Sequence, residues 1–265
     1  MKLIDTHTHL YVEAFDEDRD EVIQKAIAKG VNRFYLPAID SSYSSRMHAL
    51  KKKYPDHIQL MMGLHPTHVK ENYQEELQHV SEQLADHEFA AVGEIGIDLF
   101  WDKTFLAQQQ EAFDLQIQWA KKNDMPIVIH CREAFDEVFE VLEGHRSASL
   151  SGIFHCFSGT KEQAERAIDL NLKLGIGGIV TFKNGKLDQF INQISLKNLV
   201  LETDSPYLSP VPFRGKRNQS DYLIYILQKL ASLQSSHKNF PPMEVILVGN
   251  PTSNPHIHKS VSCMP

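Results

Sequence analysis

The chain has 265 residues, 42% of them hydrophobic and 23% charged, with a net charge of −7, 14 histidines and three cysteines. This length suits one large domain spanning 1–265, and no apolar run approaches the ~18 residues that a membrane span needs. The negative balance argues against coating nucleic acid over a long footprint, though not against gripping a chain end. With no disulfide framework among Cys131, Cys156 and Cys263 and no basic-then-apolar leader, the expected location is the cytoplasm.

Taken in chain order, β-rich runs fall at 3–6, 33–37, 58–62, 90–94, 127–130, 152–155, 173–177 and 199–202. Helical patterns fall between and after them, at 21–29, 105–122, 133–143, 161–170 and 222–233. In the second of these, Phe113, Ile117 and Ala120 share one stripe. Strands alternating with helices, with no linker between, predict a parallel sheet. Eight such units in this length predict a closed TIM-type (β/α)8 barrel rather than an open sheet. No GxGxxG or P-loop pattern supports a nucleotide-binding sheet.

Polar residues at the ends of these runs share one chemistry. His7 and His9 close the first, Glu94 the fourth, His130 the fifth, His155 the sixth and Asp204 the eighth. In extended chain His7 and His9 face the same way. Counted from His9, the separations are 85, 36, 25 and 49 residues. With roughly 31 residues per βα unit in a barrel, those are near three, one, one and two units. All six side chains then meet at the barrel mouth that carries catalysis.

Four histidines and two carboxylates exceed one tetrahedral structural zinc. They suit two divalent ions, Mg2+, Mn2+ or Zn2+, roughly 3.5–4 Å apart with Glu94 between them. His7 and His9 are expected to hold one ion, and His130 and His155 the other. Asp204 ligates or takes a proton from the attacking water. The chemistry expected is hydrolysis by a metal-activated water, with Glu94 and Asp204 as the catalytic carboxylates.

The stretches "IDTHTHL", "GLHP", "AVGEIGIDLFW", "IVIHCREAF", "FHCFSGT", "LGIGGIVTFKN" and "LETDSPYLSPVPFRGKRN" together resemble the TatD family of metal-dependent deoxyribonucleases. The resemblance runs from residue 1 to about residue 230. It implies an amidohydrolase-like TIM barrel and the same six ligands. It also implies a 3′–5′ exodeoxyribonuclease acting on DNA ends, expected to be single-stranded. The runner-up activity is ester or amide hydrolysis, for example by an aminoacyl-tRNA deacylase.

Two departures from the family pattern stand out. The family often reads G-x-H-P-H, whereas here Thr67 follows Pro66 and His68 comes one place later. His65 remains and is expected to face substrate. After residue 233 the chain turns Pro-rich and loses its amphipathic period, giving an atypical tail over 233–265 and an atypical C-terminal closure of the barrel. A changed reading frame is the expectation for it, and His256 and His258 within it are expected to be an accidental pair.

Around the ligands, Arg132 is expected to contact phosphate, its alternative being an ion pair with Glu133. Arg214, Lys216 and Arg217 lie on the loop after the eighth strand, with Arg214 and Arg217 expected to grip DNA. Glu202, two residues before Asp204, is expected to orient a ligating histidine, and Asp5 stands in the same relation to His7. Phe100 and Trp101 are candidates for stacking on a base. Alternation is expected to turn Cys131 and Cys156 away from the metals.

Overall fold

Runs of apolar and β-branched residues buried on both faces build the centre of the molecule, as parallel strands covered by helices require. The computed structural model describes residues 2–235. In it these runs form β1 (Leu3–Asp5), β2 (Val31–Pro37), β3 (Ile58–Met61), β4 (Val92–Asp98), β5 (Ile127–Arg132), β6 (Gly152–Phe154), β7 (Leu172–Ile176) and β8 (Leu199–Leu201). Strands β1–β2–β3 pair in parallel, as do β4 through β8. Two short seams join the groups: Met62 bridges Val92 and Thr8 bridges Ser205. At those seams the Gly93 amide donates to Met62 O at 2.9 Å and the Asp204 amide to His7 O at 2.9 Å. The sheet thereby closes into the expected (β/α)8 barrel.

Among the described residues, seven α-helices cover it: α1 (Arg19–Ala28), α2 (Ser44–Lys53), α3 (Tyr73–Asp86), α4 (Leu106–Lys122), α5 (Phe135–Gly144), α6 (Lys161–Asp169) and α7 (Leu223–Ser235). The stripe read from the sequence of α4 is the face it buries, with Phe113, Ile117 and Ala120 all sequestered. Between β7 and β8 the chain makes short 3₁₀ turns in place of an α-helix.

Helices α2 and α3 do not appear among the elements expected from sequence. Their fully buried apolar residues are few: Met47 and Leu50 on α2, and Leu77 and Val80 on α3. The segments are matched instead by a polar ladder of constant offset. Ser41 donates to Glu76, Ser44 Oγ meets His79 Nε2 at 2.8 Å, and His48 Nε2 meets Gln83 Oε1 at 2.8 Å. Such contacts leave no 3.6-residue apolar signal.

Strand β4 also differs from expectation, running on to Asp98 rather than ending at Glu94. The tail after residue 235, including His256 and His258 and the expected atypical closure, lies outside the described residues. Among the described residues no helix is long and apolar enough to cross a membrane.

Candidate metal centre

The loop after β1 brings His7 and His9 to the barrel mouth. Although β1 ends at Asp5, the Thr8 bridge to Ser205 and the bond from the Thr8 amide to Tyr35 O (3.0 Å) keep this segment extended. His130 lies within β5, His155 follows β6 and Asp204 follows β8. Glu94 sits inside β4, where the pairing with β5 slips between Gly93 and Ile95. A slip of this kind re-aims one side chain without ending the strand. Gly96, at φ +140°, completes the local geometry, since a Cβ there would stand 2.0 Å from His130 O.

The Glu94 carboxylate occupies the middle of the cluster. Its Oε2 lies 3.0 Å from His7 Nε2 and 3.8 Å from His9 Nε2. Its Oε1 lies 2.8 Å from His130 Nδ1, 3.3 Å from His65 Nε2 and 3.8 Å from His155 Nε2. Asp204 Oδ1 closes one side, 3.5 Å from His9 Nε2 and 3.9 Å from both His7 and His155 Nε2. Burial opposes ionisation of Glu94, but the surrounding imidazoles overcome it and hold the carboxyl well below the usual carboxylate range. Burial holds His7 and His65 neutral, the latter pushed down to about 4. At neutral pH Glu94 is thus ionised and His7 and His65 are neutral, whereas, against burial, the carboxylates of Glu202, Glu94 and Asp204 push His155 up to about 10.

The two Glu94 oxygens divide the imidazoles, with His7 and His9 at Oε2 and His130 and His65 at Oε1. His155 lies between the two sets: it stacks on His7, with ring centroids 3.4 Å apart, and groups with His7 and Asp204, while its Nε2 stands 3.8 Å from Oε1, the oxygen that meets His130.

Neighbouring groups fix which nitrogen His9 and His130 present. Tyr11 donates its hydroxyl hydrogen to Pro37 O at 2.5 Å, so it must accept from His9 Nδ1, 2.9 Å away. That leaves His9 Nε2 bare, facing Glu94 and Asp204. Arg19 and Arg46 both donate to Tyr11 O and share Asp16, clamping this turn. Glu202 Oε1 lies 3.0 Å from His155 Nδ1, outside good hydrogen-bond angles, and accepts from the Cys156 amide at 2.6 Å. The expectation for Asp5 is corrected: it accepts from Thr203 N at 2.9 Å and Thr203 Oγ1 at 2.6 Å, leaving His7 Nδ1 without a partner.

Asp98 and Tyr11 are the residues that sequence reasoning missed. Asp98 Oδ2 lies 2.8 Å from His130 Nε2, while Oδ1 accepts the amides of Phe100 and Trp101. His130 thus directs Nε2–H to Asp98 and turns Nδ1 toward Glu94. Both residues keep the two-residue parity of the ligands before them, which was the available signal. Asp98→Asn is expected to weaken divalent-ion binding roughly 10- to 100-fold, as loss of an orienting carboxylate does. Calorimetric titration with Mn2+ checks this, and unchanged affinity would refute the orienting role.

The cluster floors a cavity of about 690 Å³ bordered by His65, His68, Asp98, Trp101, Arg132, Ser158, Tyr207 and Leu208 among others. Arg132 lies over the Phe100 ring at 3.6 Å and near Trp101 at 5.4 Å rather than pairing with Glu133. Trp101 is 71% exposed and Tyr207, on the opposite loop, 52%. Arg214 and Arg217 do not border this cavity. Arg217 makes a two-pronged pair with Asp18 and donates to Ala14 O, and Arg214 stacks on Phe182 at 3.7 Å. With their guanidinium groups so engaged, both tie loops together, which corrects the expectation of a direct grip. A second cleft, of about 630 Å³, is lined by Asp16, Arg19, Asp20, Arg46 and Lys53, whose charges pair with one another.

Cys131 and Cys156 border the main cavity, contrary to the expectation from alternation. Cys156 has left strand β6 and adopts φ +43°, so alternation no longer governs it. Burial pushes the Cys131 thiol up to about 12. Iodoacetamide at pH 8 is therefore expected to leave Cys131 unmodified in the folded protein and to alkylate it in urea. Peptide mass spectrometry reads the difference, and rapid alkylation of the native chain would contradict it.

The donors fit a divalent cation. Around an ion with bonds of about 2.1 Å, tetrahedral ligand atoms stand roughly 3.4 Å apart. His7 and His9 Nε2 are 3.3 Å apart, and their distances to Glu94 and Asp204 span 3.0–3.9 Å. Two imidazole nitrogens facing each other beside two carboxylates, that of His9 bare, form a site whose natural occupant is positive.

Comparison with known proteins agrees. The family model described as TatD related DNase matches residues 4–246. The chain is 38% identical over 233 residues to the uncharacterized metal-dependent hydrolase YabD of Bacillus subtilis, covering 88% of this chain and 91% of that one. It is 31% identical over 237 residues to the 3′-5′ ssDNA/RNA exonuclease TatD of Pantoea ananatis, covering 87% and 91%. The crystal structure of YjjV, a TatD homologue from Escherichia coli, superimposes with a TM-score of 0.85 at 31% identity, over 92% and 93% of the two chains.

Proposed function

The chain belongs to the TatD-related DNase family and is a metal-dependent hydrolase, and from that premise we propose that it shortens single-stranded DNA from the 3′ end by phosphodiester hydrolysis. The observation that carries this reading is the convergence of His7, His9, His130, His155 and Asp204 around the Glu94 carboxylate, with His65 beside them, at the floor of an open cavity. The name of the Pantoea relative supports the choice of nucleic acid as substrate. We read the site as holding two divalent ions, one on each side of Glu94, in a cytoplasmic enzyme whose cysteines 131 and 156 are free thiols.

Bound divalent ions supply Lewis acidity, making water nucleophilic at neutral pH and offsetting charge that develops on the phosphate. The protein does the rest. Asp204, ionised and open to the cavity, accepts the proton of the attacking water. Water oxygen bonds to phosphorus, the P–O3′ bond breaks, and the departing oxygen takes up a proton to leave a new 3′ hydroxyl. Arg132, held flat by Phe100, presents its free edge to a phosphate oxygen. Trp101 and Tyr207 face the cavity from two loops and give the flanking bases aromatic surfaces to stack on.

End-labelled single-stranded DNA with Mg2+ or Mn2+ tests the reading. Stepwise 3′ shortening supports it. A folded, metal-loaded protein that leaves DNA intact but releases amino acid from charged tRNA replaces it with an ester hydrolase.

A further inference from the structure

His65 stands 3.3 Å from Glu94 and 4.5 Å, centroid to centroid, from His130, close enough to be counted with the ligands. Its far side argues otherwise. His65 precedes a 3₁₀ turn over Pro66–His68, and its Nδ1 accepts the Thr67 amide at 3.2 Å. A backbone N–H can only donate, so Nδ1 carries no proton. Thr67 Oγ1 lies 2.7 Å from the same nitrogen and 3.1 Å from His68 Nδ1. The consistent assignment runs one way: His68 Nδ1–H donates to Thr67 Oγ1, and the Thr67 hydroxyl donates to His65 Nδ1. Asp40 stands beyond His68, with its Oδ2 3.4 Å from His68 Nε2 and its Oδ1 accepting the Ser42 amide. With Nδ1 occupied by two donors, a neutral His65 must carry its hydrogen on Nε2, the atom that faces Glu94 and the cavity. A protonated ring nitrogen offers no lone pair to a cation.

We propose that Thr67 and His68 position His65 as a hydrogen-bond donor to a substrate phosphate oxygen and keep it out of the metal-ligand set. The proposal rests on the phosphodiesterase reading only for the identity of the oxygen that receives the bond. Thr67 and His68 are positioning residues, acting through His65 without touching the reacting atoms. Thr67 occupies the place where a histidine would stand in the G-x-H-P-H pattern. Its hydroxyl is short enough to bond back to Nδ1, and the displaced His68 backs it from one position further on.

Three readouts test this in the full-length, metal-loaded protein. Long-range 1H–15N correlation spectra, with His65 assigned by its loss in His65→Gln, are expected to show Nε2 protonated and Nδ1 bare. The reverse pattern, or an Nε2 signal displaced by a bound ion, would overturn the proposal. Elemental analysis is expected to find the wild-type number of ions in His65→Ala and Thr67→Val, and loss of an ion from His65→Ala would likewise overturn it. Thr67→Val is expected to lower kcat/KM on single-stranded DNA about tenfold, the scale of one hydrogen bond to a charged group. Thr67→Ser should return to within about twofold of wild type by restoring the hydroxyl. A fully active Thr67→Val variant, or a Thr67→Ser variant as impaired as Thr67→Val, would refute the role of the hydroxyl. Wild-type protein inert on DNA, yet showing the expected tautomer and ion count, would overturn the nuclease reading while supporting the donor assignment.

Discussion

Glu94→Gln is expected to lower kcat by at least about 10³-fold and to strip the protein of bound divalent ions while leaving it folded. No other side chain touches as much of the centre: its two oxygens reach His7, His9, His65, His130 and His155 within 3.8 Å. Glutamine keeps the volume and removes the charge, so Asp204 becomes the one anion remaining among the six candidate ligands. The new NH2 must also face one of the two imidazole groups, where a donor replaces an acceptor on an axis of about 3 Å. Divalent ions contribute several kcal/mol of transition-state stabilisation in such sites, and each 1.36 kcal/mol is about tenfold in rate. The checks are elemental analysis after dialysis, kcat on end-labelled DNA and far-ultraviolet circular dichroism. Retention of all bound metal, or a rate within tenfold of wild type, would show that Glu94 is not the hub.

The convergence on Glu94 was legible in the sequence because barrel geometry turns spacing into position. Strand ends recur with one phase, and the candidate ligands recur with it. The apolar runs of β1 to β8 were legible for a related reason, since burial on both faces leaves them continuous and bounded. Helices α2 and α3 were not, because the ladder of Ser41, Ser44 and His48 against Glu76, His79 and Gln83 is polar and spans 35 residues. Asp98 was hidden by ending its strand four residues early; the slip at Glu94 that lets β4 continue has no signature in composition. Cys156 and Asp5 failed through a different step. Alternation was extended past the end of β6 for the one, and a carboxylate two residues before a histidine was assumed to reach it for the other. Arg214 and Arg217 show the limit of reading charge as function: a guanidinium on a loop near a site is as well used in stapling that loop.

The second large effect is expected from a residue with no reactive role. Asn218 is fully buried, and its Nδ2 donates to Thr203 O at 2.7 Å and to Tyr207 O at 2.6 Å. Its amide donates to Pro206 O at 3.0 Å, and its Oδ1 accepts the Gln219 amide at 2.9 Å. One side chain therefore closes the turn from Thr203 to Tyr207, which holds Asp204 in the left-handed region at φ +57° and carries Tyr207 to the cavity. Asn218→Ala removes three buried side-chain hydrogen bonds. Each buried polar group left unpaired costs about 1–3 kcal/mol, so a loss of about 3–5 kcal/mol is expected after partial relaxation. The turn then has fewer constraints on Asp204, and kcat should fall on the order of 10²-fold, as misplacement by an ångström does. Urea unfolding monitored by tryptophan fluorescence gives the first number and the DNA assay gives the second. Asn218→Asp separates the two causes: it keeps the Gln219 contact but sets a carboxylate oxygen against two carbonyls. It should be at least as destabilising as alanine. An Asn218→Asp protein as stable as wild type would mean that the turn is held by the backbone alone, and that Asp204 owes its place to the β1 seam rather than to Asn218.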